Sequence, residues 1–307
     1  MLDFTIQKEE ADQTIISFLK KRFKTTPLSL IYKLFRNKKI KINGENVRYY
    51  HHRLKVGEKV EIHDNYLQQS SNLIAYPLSR TKIYFEIIYE DKNILIALKE
   101  HGITMPSLDN AVRNYLAEKN PVEYQRQVAN FFVLTAAHRL DKLTKGLVLY
   151  PKNPLAKRVL YQAIADKNKI TKKYLAFCEK LPKKPLPNYI SGYLGKNNQE
   201  QKMEFFLKPT NPQAKFCALE TKKIGEKNTY QIFEITLHTG RKHQIRSILS
   251  YFGLPVIGDK KYGSKIEVKD KIYLFAYKII LVDLPSPLSY LNGREFQAEG
   301  LKLEKLS

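Results

Sequence analysis

The residues with chemistry to offer gather in two stretches. The first, TAAHRLDKLTKGLVLY from Thr135 to Tyr150, sets His138, Arg139, Asp141 and Lys142 between the apolar runs FFVL and GLVLY. In an extended backbone Arg139 and Asp141, two apart, point to the same side, and the apolar flanks place that side near the core. A partly buried carboxylate is costly unless a cation pairs with it, so a partner is expected elsewhere in the chain. The second stretch, ITLHTGRKHQIRSILSYFG over 235–253, offers one. A strand ends at His238, Thr239 and Gly240 turn the chain, and Ile245, Ile248, Leu249 and Phe252 build a helix that stops at Gly253, with Pro255 beyond. Arg241, Lys242 and His243 are expected in the first turn of that helix, an end where the dipole prefers anions. Such a local violation is where function overrides propensity. Arg241 is therefore the candidate partner of Asp141, or of a bound phosphate, and Arg246 extends the same basic surface. A carboxylate beside a guanidinium can attack a carbon covalently or draw off a proton.

The elements that must position these residues are mostly strands. IYFEIIY, NILIALK, GLVLYPK, KKYLAFCE and TYQIFEITLH all read as strands, and the clearest helix is 154–167, with Asn153 before Pro154 and Leu155, Val159, Leu160, Ala163 and Ile164 on one face. Many strands without a βαβ rhythm predict an α+β domain built on a mixed, mostly antiparallel β-sheet with flanking helices. Upstream, residues 14–38 read as two short helices. The second has Thr26 as N-cap, Pro27 at its first position and an apolar stripe of Leu30, Ile31, Leu34 and Phe35. Lys33, Arg36, Lys38 and Lys39 occupy its other faces, and the first helix ends in KKRFK, with Lys20, Lys21, Arg22 and Lys24. KIKINGENV then predicts a hairpin about an Asn-Gly turn and EKVEI a closing strand. The expected organisation is a small α+β module over 1–65, a polar linker over 66–82 and a large domain over 83–307, without internal repeats.

In a chain of 307 residues, 53 Lys and Arg stand against 30 Asp and Glu, a net charge of +23. A chain this basic is expected to meet a polyanion, since each phosphate neutralised releases a condensed counterion; the plainer reading is a lysine-rich, heavily charged surface. The two cysteines, Cys178 and Cys217, form neither a zinc-ligand pattern nor a disulfide framework, which predicts a reducing compartment. MLDFTIQKEE has no basic and then apolar leader, and no run approaches the roughly 18 apolar residues of a membrane span. A soluble, cytoplasmic protein is expected. Walker, GxGxxG and HExxH motifs are lacking, which lowers nucleotide hydrolysis, dinucleotide binding and zinc proteolysis, and no metal or cofactor is expected.

HRLDKLTKGL resembles the catalytic signature of the RluA family of pseudouridine synthases, which runs His-Arg-Leu-Asp, two variable residues, then Thr-Ser-Gly. KKYLA at 172–176, TGRKHQIR at 239–246 and GLPVIGDKKYG at 253–263 follow in the family's order and approximate spacing. The N-terminal elements, TPLSLIYKLFRNKKIKINGENV and LKVGEKVEI, resemble the S4 RNA-binding module, so the likeness covers nearly the whole chain. Three departures stand out: Lys145 replaces a small Ser, SIL follows Arg246 where Val-His is usual, and LFA at 274–276 replaces Leu-His-Ala.

The resemblance implies an RNA-modifying isomerase that converts uridine to pseudouridine without metal, redox change or external nucleophile. It implies Asp141 as the catalytic aspartate, Tyr174 as the residue stacking on the base, Arg241 as the arginine paired with the aspartate, and Arg139 as the side chain filling the space of the flipped nucleotide. The S4-like module and the basic helices, with Arg246, are expected to hold RNA by shape and phosphate contacts. Large-subunit ribosomal RNA is the expected substrate and a monomer the expected state. The alternatives are a transfer-RNA enzyme or a non-catalytic RNA-binding or ribosome-assembly factor of the same fold; a nuclease is disfavoured by the absence of a metal-ligating cluster. Asp141 separates enzyme from mere binder.

Overall fold

The computed structural model describes residues 2–23, 28–47, 49–63, 84–129, 132–166, 169–180, 186–197, 199–200, 202–209 and 212–298. The expected linker, Lys24 and the Thr26–Pro27 cap lie outside the described residues. The chain falls into two compact units, residues 1–80 with 116–133, and residues 81–115 with 134–307.

The first unit holds β1 (Leu2–Thr5), α1 (Ile15–Arg22), α2 (Leu28–Arg36), β2 (Ile40–Ile42), β3 (Glu45–Asn46) and β4 (Lys59–Ile62), with the strands ordered β1-β4-β2-β3. Thr14 caps α1 by accepting from Ser17 N–H at 3.3 Å, and the helix buries Ile15, Phe18 and Leu19 against Ile31, Leu34, Ile40, Leu54 and Val60. The predicted turn is present: Asn43 and Gly44 both have positive φ, 49° and 82°, as a type I′ hairpin requires. The Asn43 side chain also accepts from Lys59 N–H at 2.8 Å, which ties β4 to the turn.

Lys20, Lys33, Arg36, Lys38 and Lys39 are exposed, and Lys21 reaches Gln13 Oε1 at 2.8 Å. Arg22 departs from the expected RNA-facing role. Its guanidinium lies 3.7 Å from the centre of the Phe4 ring and 3.6 Å from Glu10, and burial pulls its pKa down to about 10 against the pull of Glu10. At the end of α1 the apolar ring of β1 captures the planar head, so Arg22 is a packing residue of this unit.

The second unit is built on β5 (Glu86–Glu90), β6 (Ile94–Lys99), β7 (Lys145–Pro151), β8 (Ile170–Glu179), β9 (Tyr189–Asn197), β10 (Lys202–Phe206), β11 (Lys215–Glu226), β12 (Tyr230–Leu237), β13 (Leu274–Leu281) and β14 (Glu295–Gln297). They form one sheet in the order β10-β9-β11-β12-β8-β13-β7-β6-β5, with β14 on β13. Among the described strands only β13 and β7 run parallel; the sheet is mixed and mostly antiparallel, and the fold is α+β. Helix α5 (Pro154–Ala165) starts where Asn153 accepts from Ala156 N–H at 2.9 Å, and it buries Ala156, Val159, Leu160 and Ala163 in the core while Leu155 stays exposed.

Two helices were not expected. Helix α3 (Met105–Lys119) begins where Thr104 Oγ1 accepts from Ser107 N–H at 3.3 Å and buries Leu108, Ala111 and Val112; α4 (Pro121–Ala129) follows it. Helix α6 (Gln244–Tyr251) starts three residues later than the sequence suggested. Arg241, Lys242 and His243 therefore precede the helix and do not oppose its dipole from within. His243 takes a left-handed φ of 54°, and the Gln244 side chain accepts from Thr239 Oγ1 at 2.7 Å and from Arg241 N–H at 3.1 Å. Its amide also donates to the Ala218 carbonyl at 3.0 Å, which anchors the loop to β11.

Candidate active site

The HRLD segment runs beside β7 before turning into it. Ala137 N–H donates to the Leu149 carbonyl at 2.8 Å, and His138 Nε2 accepts from Leu149 N–H at 3.3 Å. Burial, with the nearby charge of Lys172, pulls the His138 pKa down to about 3, so a neutral imidazole braces the loop. Leu140 is buried as the anchor, Arg139 is exposed, and Thr144 N–H closes a turn onto the Asp141 carbonyl at 3.1 Å.

The turn is held from β6 and the loop after it. Lys99 Nζ donates to the carbonyls of Glu100, Ile103 and Lys142 at 2.9, 2.9 and 3.0 Å, and burial pulls its pKa down to about 8 against the charges of Asp141 and Glu100. His101 Nδ1 donates to the Leu143 carbonyl at 2.7 Å. The family departures find partners here: Lys145 pairs with Glu100 at 2.7 Å, and Phe275 packs edge-on to His101 with ring centres 5.6 Å apart. Ile248 is fully buried on α6. Just beyond, Gly146 has φ 145°, and a Cβ there would collide with the Ala276 carbonyl oxygen, so close β7–β13 pairing depends on glycine.

Asp141, Tyr174, Arg139, Arg241 and Arg246 all line one cavity of about 310 Å³, together with His138, Lys172 and His243. This is the lower end of the range for small-molecule sites. Tyr174 sits on the central strand β8, opposite Ile235 of β12 and Ala276 of β13. Burial and the charge of Asp141 push its phenol pKa up, so the hydroxyl stays protonated.

The arginine beside Asp141 is Arg246, where Arg241 was expected. Arg246 Nη1 lies 3.4 Å from Asp141 Oδ2, while its Nε and Nη2 donate to the two oxygens of Asp259 at 2.6 and 2.8 Å. Arg241 instead donates from Nε to the Phe216 carbonyl at 3.1 Å and is exposed. The late start of α6 explains the exchange: Arg246 falls in its first turn and points inward, 4% exposed, whereas Arg241 stays on the loop. Burial opposes the charge on Arg246, but the hydrogen bonds and charge of Asp259, with Asp141, outweigh it and raise its pKa.

His243 completes the rim. Tyr262 Oη accepts from Met203 N–H at 3.1 Å and shares a hydrogen bond of 2.9 Å with His243 Nδ1. His243 Nε2 lies 3.9 Å from Asp141 Oδ2. Burial and the charges of Arg246, Lys242 and Lys261 pull His243 down to about 4, against the opposing pull of Asp141. Sequence reasoning passed over Lys99 and Lys172, and read Asp259, within GLPVIGDKKYG, as loop scaffolding. Lys172 had a signal, two residues before Tyr174 on an alternating strand; the long-range contacts of Lys99 had none. Among the described residues no group of three His, Cys, Asp or Glu side chains is arranged to hold a metal ion, and no helix is long and apolar enough to cross a membrane.

Residues 93–251 match the family model described as RNA pseudouridylate synthase. The chain is 38% identical to a Mycoplasma capricolum protein named "Uncharacterized RNA pseudouridine synthase", over 96% of each chain. It is 31% identical to "Ribosomal large subunit pseudouridine synthase C" of Buchnera aphidicola subsp. Baizongia pistaciae, over 85% of this chain and 80% of that one. In fold it is similar to human RNA Pseudouridylate Synthase Domain Containing 4, with a TM-score of 0.56 and 19% identity over 78% of this chain and 95% of that one. With its four ordered motifs, three of which line one cavity, the chain belongs to the RNA pseudouridylate synthase family and is an RNA pseudouridine synthase.

Proposed function

We propose that the protein isomerises specific uridines of large-subunit ribosomal RNA in the cytoplasm, as a monomer, with Asp141 as the catalytic carboxylate. The observation that carries this reading is the convergence of Asp141, Tyr174 and Arg246 in one cavity. In the reaction the N1–C1′ bond breaks, the uracil turns, C5 bonds to C1′, and the C5 proton is lost while N1 gains one. Asp141 opens this sequence by attacking C1′ or by taking the C2′ proton, and both routes use the carboxylate form. Arg246, held by Asp259, supplies the fixed positive charge beside it. The ring of Tyr174 stacks on the uracil. Its protonated hydroxyl can take the C5 proton only by passing on its own, to the Asp141 carboxylate once C5 has bonded to C1′ or to water, so it acts as a relay.

The target uridine must leave its stack, which costs a few kcal/mol. The exposed Arg139 at the cavity rim has the length and planar head to enter the vacated space. The S4-like first unit contributes Lys20, Lys33, Arg36, Lys38 and Lys39 to RNA backbone contacts. Ribosomal RNA is favoured by the relatives that carry large-subunit synthase names at about 30% identity. Carbodiimide mapping of pseudouridine in ribosomal and transfer RNA, from cells with and without the gene, tests the assignment. A large-subunit site lost on deletion and restored by the wild-type gene is expected; a change confined to transfer RNA would overturn the substrate.

A further inference from the structure

The cavity holds a half-buried cation that the chemistry so far leaves unused. Lys172 lies on β8 two residues before Tyr174, so both side chains project from the same face, and both line the cavity. Asp259 and Asp141 occupy Arg246, the Phe216 carbonyl holds Arg241 Nε, and His243 is neutral. The Lys172 ammonium makes no hydrogen bond or ion pair to any described residue, and burial pulls its pKa down. A desolvated ammonium without a counter-ion is a standing cost in the free protein. The site is thus built to receive a negative charge.

Its position indicates which charge. Asp141 meets Arg246 at 3.4 Å and His243 at 3.9 Å, and no ion pair joins it to Lys172. The ammonium is therefore set apart from the carboxylate that meets C1′. It lies instead beside the Thr239–Gly240 turn, where a Cβ built on Gly240 would come 3.9 Å from Nζ. Uracil is neutral in the ground state, and the anion that a nucleotide carries several ångströms from C1′ is its phosphate. We propose that Lys172 binds a phosphate flanking the target uridine and so registers the flipped nucleotide over Asp141. The inference rests on the reading of this cavity as the active site. An ammonium makes a point contact that tolerates either phosphate oxygen, which suits a residue that positions without reading sequence.

The test uses full-length protein and a short RNA carrying the mapped uridine, tritiated at C5, with a single neutral methylphosphonate on its 5′ or 3′ side. Lys172→Met is expected to raise KM about 10- to 100-fold with kcat within about threefold, and to reduce the slope of log affinity against log salt by about one contact. Lys172→Arg should recover most of the loss. One methylphosphonate should impair the wild type by the same factor yet add nothing to Lys172→Met. Without RNA, Lys172→Met should melt no lower than wild type, since a stranded charge is removed. Additive losses at both phosphates, or a fall in kcat at unchanged KM, would overturn the proposal and assign Lys172 to the departing uracil. If Lys172→Met melts lower, Lys172→Gln repeats the methylphosphonate comparison. Turnover of unmodified RNA by wild type, absent in Asp141→Asn, verifies the underlying reading separately.

Discussion

Asp141 is flanked by groups whose protonation the protein has settled: a guanidinium clamped by a second carboxylate, a neutral histidine and a protonated tyrosine. The exchange of Arg241 for Arg246 yields a direct prediction. Arg246→Lys keeps the charge but loses the fork that spans Asp259 and Asp141, and kcat should fall about 10²- to 10³-fold, the scale for removing a preorganised electrostatic group. Arg241→Ala should stay within about tenfold of wild type, because its exposed side chain holds one backbone carbonyl. Steady-state tritium release from RNA labelled at C5 separates the two. Asp141 and Tyr174 were singled out through their motifs, HRLD and KKYLA, and both line the same cavity. The arginine was not legible, because its direction depends on where α6 begins. That start is set by Gln244 reaching Ala218, 26 residues away in the chain.

At the scale of elements, the active-site turn depends on the start of β7. Gly146→Ala places a Cβ against the backbone of β13 in a conformation that side chains rarely adopt, so a loss of about 3 kcal/mol or more is expected. Urea denaturation measures it, and a loss below about 1 kcal/mol would show that β13 gives way. The HRLD loop also responds to acid. His138 has a folded pKa of about 3 against an ordinary value of 6.5, so the unfolded chain binds the extra proton between these values. Its contribution to stability is fully present above about 6.5 and is lost as pH falls toward 3. The urea midpoint of wild type should therefore drop faster than that of His138→Asn over this window; parallel curves would contradict a buried neutral ring. Strands β5 to β8 and β12, and helix α5, were readable from alternation and capping. Helix α3 went unread although Leu108, Ala111 and Val112 recur at helical spacing behind Thr104. The hairpins formed by β9, β10 and β11 carry mixed, half-exposed patterns, and their pairing is decided by tertiary contact.

For the whole molecule, the charge of +23 acquires a use once RNA is the substrate. Replacing Lys33, Arg36 and Lys39 together by Gln, all exposed on the first unit, should weaken RNA binding and reduce the salt slope by about two to three contacts. Filter-binding titrations at several salt concentrations report this, and an unchanged slope would remove these residues from the RNA contact. Such changes act on affinity and leave the chemical step to the cavity. The central claim is that Asp141 performs that step. The most direct measurement is single-turnover tritium release by purified wild type and Asp141→Asn, on large-subunit ribosomal RNA labelled at C5, with RNA affinity measured in parallel. Release by wild type alone, at nearly equal affinity, is the predicted result; release by Asp141→Asn at a comparable rate would contradict the account.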